Sequence, residues 1–245
     1  MWIRSWLDSP STATHGNLIE RVIFTRKDPS APTRPEAELF NIGSISHASL
    51  EPNTTTVPTA HSDYQEILYV EYGEGYVTAG EQKREVREGS IALIPQGLSR
   101  SIINDTDEPL EMVSMIDDVP PGLEEKAAKQ LVVRNYHEIP VGTTTSHWHH
   151  IVRGLLDSGD GLVTIGNVLM VEIDGMQIAE PHAHPANRDE VWYQLEGISL
   201  MFLDQEIRRQ YPGEAVAVPP GVQHSSINDS DELMRWLYVS ASGRA

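Results

Sequence analysis

The feature that most constrains this chain is an internal duplication. Gly73, Gly89, Pro95, Gly97 and Asn104 are matched by Gly197, Gly213, Pro219, Gly221 and Asn228, each pair 124 residues apart. Asn104 is followed by Asp-Thr-Asp-Glu108 and Asn228 by Asp-Ser-Asp-Glu232. Glycine, proline and asparagine punctuate turns, so a shared pattern of them implies a shared succession of turns. Between the turns run short apolar stretches such as Ile67 to Tyr72, Ser90 to Ile94, Val191 to Leu195 and Ala215 to Val218. Short strands at such intervals predict an all-β chain, a sandwich or barrel built twice. The duplication divides the sequence into 1–118 and 131–245. Between them, good helix formers after a Pro/Gly start, Leu123 to Gln130, predict a short linker helix over 119–130.

The second copy carries the clearest chemistry. Side chains two apart in a strand share a face, so His182 and His184 aim the same way. Glu190 opens the next apolar run, and a third imidazole, His224, follows Pro219 and Gly221. Three neutral imidazoles and a carboxylate are nitrogen and oxygen donors suited to a first-row divalent ion. The predicted centre is therefore one divalent transition metal, iron, manganese, nickel, cobalt or zinc, held by His182, His184, Glu190 and His224. Four protein ligands on an ion that accepts six leave two positions for water, dioxygen or a bidentate small-molecule substrate.

These residues also resemble a known family. His182-x-His184, then Glu190, six residues and Gly197, is similar to the first motif of the cupin superfamily. Gly213, Pro219, Gly221, His224 and Asn228 match the second motif at every position. One departure stands out: five residues separate His184 from Glu190, where the family has three or four. The resemblance implies two tandem cupin-type jelly-roll barrels with the metal inside the second. It also implies a metal-dependent enzyme for a small chelating molecule, with a dioxygenase-type oxidoreductase leading. A redox-neutral isomerase or lyase, or a non-catalytic small-molecule binder, remains as an alternative, and the chain's length counts against the oxalate-degrading members.

The first copy keeps only half of the set. Aligned on the second, Thr59 replaces His182 and Arg100 replaces His224, while His61 and Glu66 remain. A guanidinium carries positive charge where a ligand needs a lone pair. Either Arg100 pairs with Glu66 in the place of the metal, or it binds an anionic ligand.

Counting in twos from the ligands puts Trp192, Gln194, Ser226 and Glu180 on the inward side as substrate-pocket candidates. Val191, Tyr193 and Leu195 face outward and suit either the partner sheet or a second subunit, which leaves a homodimer open. His147-Trp-His149-His150 has no carboxylate at motif spacing and reads as a strand or interface feature.

Composition excludes several functions. With 36 acidic against 18 basic side chains the net charge is −18, which repels nucleic acid and anionic membrane surfaces. There is no cysteine, so thiolate chemistry is absent. The first residues lack a secretory pattern and no apolar run reaches the roughly 20 residues of a spanning helix, so a cytoplasmic protein is expected.

Overall fold

The computed structural model describes residues 2–30, 34–142 and 147–243. Strands hold 54% of the described residues, so the chain is all-β as its turn pattern predicts. Each copy builds a large sheet that faces a small four-stranded one. In the first copy Tyr64–Tyr72 lies between Ser90–Ile94 and Leu110–Asp118, with Ser44–Leu50 and Leu18–Arg26 beyond. In the second, Arg188–Glu196 lies between Glu214–Val218 and Met234–Ser242, with Ile165–Ile173 and Ile151–Asp157 beyond. The small sheets contain Arg100–Asn104 and His224–Asn228 respectively. Two antiparallel layers closed on an interior make a jelly roll.

The two large sheets exchange edges. Trp2–Ser5 pairs with Glu214–Val218, and Val132–Asn135 pairs with Ser90–Ile94, both antiparallel. Each arm continues into one 3-10 turn, Trp6–Asp8 or Tyr136–Glu138, and seats an aromatic ring on a motif glycine. A Cβ at Gly213 would lie 2.9 Å from Trp6 Nε1, and one at Gly89 would lie 2.7 Å from Tyr136 Cδ1. Both glycines also have positive φ, +83° and +81°, so no other residue fits there without strain. The sequence segments 1–118 and 131–245 thus each lend their first strand to the other's sheet, which covers an edge that would otherwise invite foreign strands.

Three apolar clusters follow from this layout. One fills the first barrel around Leu68, Val77 and Ile102, and one fills the second around Trp192, Met201 and Trp236. The third lies between the large sheets and joins Ile67 and Val113 to Val191 and Tyr193. The outward face around Tyr193 is therefore buried inside one chain rather than held open for a second copy. The linker helix contracts to a single 3-10 turn, Glu124–Lys126. Just after that turn Ala127 is extended, and the next amide, that of Ala128, donates to Gln65 Oε1 at 3.2 Å, so tertiary bonding overrides local propensity. No helix among the described residues is long and apolar enough to cross a membrane.

Candidate metal centre

The second barrel gathers the four motif residues from two strands, one bridge and a loop: His182 sits on an isolated bridge and His184 in the loop before Arg188–Glu196, rather than on the strand that their spacing predicts. His182 and His224 face each other across an antiparallel bridge, and Glu190 lies near the start of Arg188–Glu196. His184 Nε2 lies 2.8 Å from Glu190 Oε1 and 3.1 Å from His182 Nε2, while His224 Nε2 lies 3.8 Å from Glu190 Oε2. The sequence folds this way because Pro219 and Gly221, the latter at φ +75°, form the turn that delivers His224 to its strand.

The donor set fits a divalent cation. His182 Nδ1–H donates to the Glu180 carbonyl at 2.7 Å and His224 Nδ1–H to the Val222 carbonyl at 2.9 Å, which leaves both Nε2 atoms as bare lone pairs. Nε2 of His224 is fully buried and has no hydrogen-bond partner among the described residues. Burial holds this imidazole down at about 4, so it is neutral and able to donate its lone pair. Burial alone would raise Glu190, but His184, His224 and the Tyr238 hydroxyl outweigh it and hold the carboxyl below its usual range. Tyr238 donates to Oε1 at 2.6 Å and the Trp192 indole to Oε2 at 3.0 Å, so both carboxylate oxygens are oriented from behind.

A cavity of about 550 Å³ adjoins the cluster, lined by His182 and His184 together with Trp192, Trp236, Tyr238, Arg188, His147 and His150. Of the four sequence-predicted pocket residues, Trp192 lines it and the others do not. Trp192 stacks on Trp236 at 5.4 Å and cuts Gln194 off, and the Gln194 amide turns to the Glu196 and Gly197 carbonyls. Ser226 Oγ meets Ser199 Oγ at 2.5 Å. Glu180 contributes its carbonyl to His182 rather than its carboxylate to the cavity.

The reading of His147 to His150 as a strand or interface feature is corrected. Both imidazoles line the cavity, and one ligand atom each from His147, His182 and His184 lie within 4.8 Å of one another. Arg188 was also missed: it precedes Glu190 by two, and period-two counting could have found it.

In the first barrel, Thr59 and Arg100 face each other across the bridge that His182 and His224 form in the second. Arg100 Nη2 lies 2.5 Å from Glu66 Oε2, and both side chains are almost wholly buried. Ser114 Oγ donates to Glu66 Oε1 at 3.3 Å, from the position that Tyr238 holds in the second copy. His61 stacks on Tyr64 at 4.3 Å.

Similarity to known proteins agrees with this architecture. Among curated proteins none matches the sequence. A Pseudomonas aeruginosa protein described as glyoxylate-induced superposes with a TM-score of 0.79 at 18% identity, over 99% of this chain and 88% of the other. Bacillus subtilis oxalate decarboxylase, whose Mn(II) centres have been characterised, superposes at 0.73 with 17% identity, over 99% of this chain and 79% of the other. At such identity these likenesses establish the fold. The cupin domain family itself matches in sequence twice, over residues 46–116 and 169–240, more than half of the chain and both barrels. The duplication, the paired jelly rolls and the doubled match together make this chain a member of the cupin family with two cupin domains in tandem.

Proposed function

We propose that the second barrel is a metal-dependent active site for a small chelating carboxylate, with a dioxygenase-type oxidation as its reaction. The observation that carries this reading is the grouping of His184, Glu190 and His224, with His182 Nε2 at 3.1 Å from His184 Nε2, beside a cavity large enough for a small molecule. When bound there, an iron, manganese, nickel, cobalt or zinc ion supplies Lewis acidity, and the first two also supply an electron path to dioxygen.

The chain's own residues define what enters. Arg188 lines the cavity, its Nε donates to Ser242 Oγ at 3.3 Å, and it forms no ion pair among the described residues. A guanidinium with free Nη donors suits a carboxylate. Among the described residues no acidic side chain lines the cavity, although the protein's net charge is −18, so the cavity is an anion-tolerant place in an anionic protein. Trp192, Trp236, Leu169 and Val171 form an apolar wall that excludes water and strengthens every polar contact inside.

A redox-neutral isomerase or lyase is favoured by one feature. His147 and His150 add two imidazoles to the cavity. Such groups accept and return protons without a redox partner.

Elemental analysis of the purified full chain, followed by oxygen-electrode assays with oxalate, 2-oxo acids and catechols, tests the proposal. Iron or manganese with oxygen uptake supports the oxygenase. Turnover without oxygen uptake supports the lyase or isomerase. Tight binding without turnover would make the protein a binder and overturn both enzymatic readings.

A further inference from the structure

In the first barrel an imidazole reaches the site from outside the motifs. His15 lies in the turn before Leu18–Arg26, with Nε2 at 3.0 Å from Arg100 Nη2 and Nδ1 at 3.2 Å from Thr59 Oγ1. A guanidinium has donors only, so His15 Nε2 accepts and its lone pair is directed at the buried cation. Burial, and then the charge of Arg100, hold His15 down at about 4, consistent with a neutral acceptor. Arg100 occupies the place of His224 and lies against Glu66, the counterpart of Glu190. His15 therefore does in the first barrel what a ligand does: it presents a lone pair to the positive charge held among these positions.

The second barrel presents an imidazole from the same place in the topology. Ile151–Asp157 pairs with Ile165–Ile173 as Leu18–Arg26 pairs with Ser44–Leu50, and the turn before it carries His147. His147 stands edge-on to His184 at 84°, as His15 stands edge-on to His61 at 78°. Its ring lies 4.1 Å from that of His182, the counterpart of Thr59, which His15 touches. Each turn contains a histidine with positive φ, His15 at 48° and His149 at 57°. The ligand atoms of His147, His182 and His184 form one group, and His184 belongs as well to the group with Glu190 and His224. His150, next in the turn, is directed edge-on at Trp236 instead, at 5.8 Å.

We propose that His147 is a fifth protein donor to the metal of the second barrel, reaching in from the turn before Ile151–Asp157. This rests on the reading of His182, His184, Glu190 and His224 as a metal centre. Four imidazoles and one carboxylate leave a single position of six for an outside molecule. His182 and His224 are fixed by their bridge and Glu190 by its strand, with His184 two residues from that bridge, whereas His147 hangs on a turn and is the donor that can give way to the second oxygen of a chelating substrate.

The test uses the full chain stripped of metal and reloaded with Mn(II). Affinity is measured by competition with a fluorescent chelator, and coupled nitrogens are counted by pulsed EPR. The wild type is expected to show four imidazole nitrogens. His147→Ala is expected to show three and to bind Mn(II) at least about tenfold more weakly, since even residues that only orient a ligand cost that much. His149→Ala, exposed on the same turn, should match the wild type. Three nitrogens in the wild type, or His147→Ala binding Mn(II) as the wild type does, overturns the proposal. The wild-type nitrogen count decides even if the variant fails to fold. Tight Mn(II) binding with three nitrogens would sink the fifth donor and leave the motif centre standing, whereas a wild type that binds no metal would sink both.

Discussion

Glu71→Gln should make the protein more stable as pH rises, by an amount the interface between the two halves sets. The Glu71 carboxylate accepts from the Tyr193 hydroxyl at 3.0 Å and lies 3.8 Å from His47 Nε2, with Glu111 3.7 Å from the same nitrogen. Trp6 stacks on His47 at 4.3 Å and closes the cluster from the exchanged arm. Burial is the main cause that pushes Glu71 up from 4.5 to about 7, and Glu111 adds to it against the Tyr193 hydrogen bond. Burial, then Arg21, brings His47 down from 6.5 to about 4. Between pH 4.5 and 7 the folded state keeps a proton on Glu71 that the unfolded chain has lost, so stability falls as pH rises through that window. Between pH 4 and 6.5 the unfolded chain binds a proton on His47 that the folded state refuses, so stability rises with pH there. The two slopes oppose each other where the windows overlap, and removing one exposes the other. Each displacement corresponds to about 3 kcal/mol. Glutamine keeps an acceptor for Tyr193 and cannot ionise. Relative to the wild type, Glu71→Gln should therefore gain almost nothing at pH 4.5 and about 3 kcal/mol by pH 7.5. Urea titrations followed by tryptophan fluorescence, on chelator-treated protein so that metal binding adds no pH dependence of its own, give the difference at each pH. A difference that stays constant from pH 4.5 to 7.5, or shrinks with rising pH, would refute the reasoning.

Other outcomes follow from single contacts. Arg100→Ala leaves the buried Glu66 carboxylate without its cation and should cost about 3 to 5 kcal/mol in the same urea titration, while Mn(II) affinity of the second barrel stays unchanged. Tyr238→Phe removes the hydrogen bond to Glu190 Oε1 and should weaken Mn(II) binding by about ten- to a hundredfold in chelator competition, with little change in the metal-free protein. Gly213→Ala puts a methyl group against the Trp6 indole at a backbone position with φ +83° and should lower stability by about 1 to 3 kcal/mol, with earlier proteolysis of the first eight residues.

Much of this was legible in the sequence because it resides in turns. Gly197, Gly213, Pro219, Gly221 and Asn228 repeat the first copy because each closes a strand at a fixed place, and the histidines between them inherit that spacing. The strands Gln82–Arg87 and Glu206–Gln210 were not, because they lie mainly exposed in the small sheets and carry charge where a buried strand carries alternation. Ile151–Asp157, interrupted by Gly154, was missed for a similar reason. Trp2–Ser5 escaped because its partner is more than two hundred residues away, and Val132–Asn135, although recognisable as a strand, pairs backward into the first sheet. His15 and His147 share no spacing with the motifs. They enter from turns whose position in space is set by the strands that follow, so only the fold brings them to the site.

The crossed arms also dictate an order of events during synthesis. When the first hundred residues have left the ribosome, the edge at Ser90–Ile94 has nothing to pair with until residues 132–135 follow, and Trp2–Ser5 must wait for Glu214–Val218 near the end of the chain. Neither barrel is a complete unit of translation, and a chain cut between 118 and 131 would give two fragments that each finish only by taking a strand from the other. Two such fragments expressed together should assemble where either one alone would aggregate.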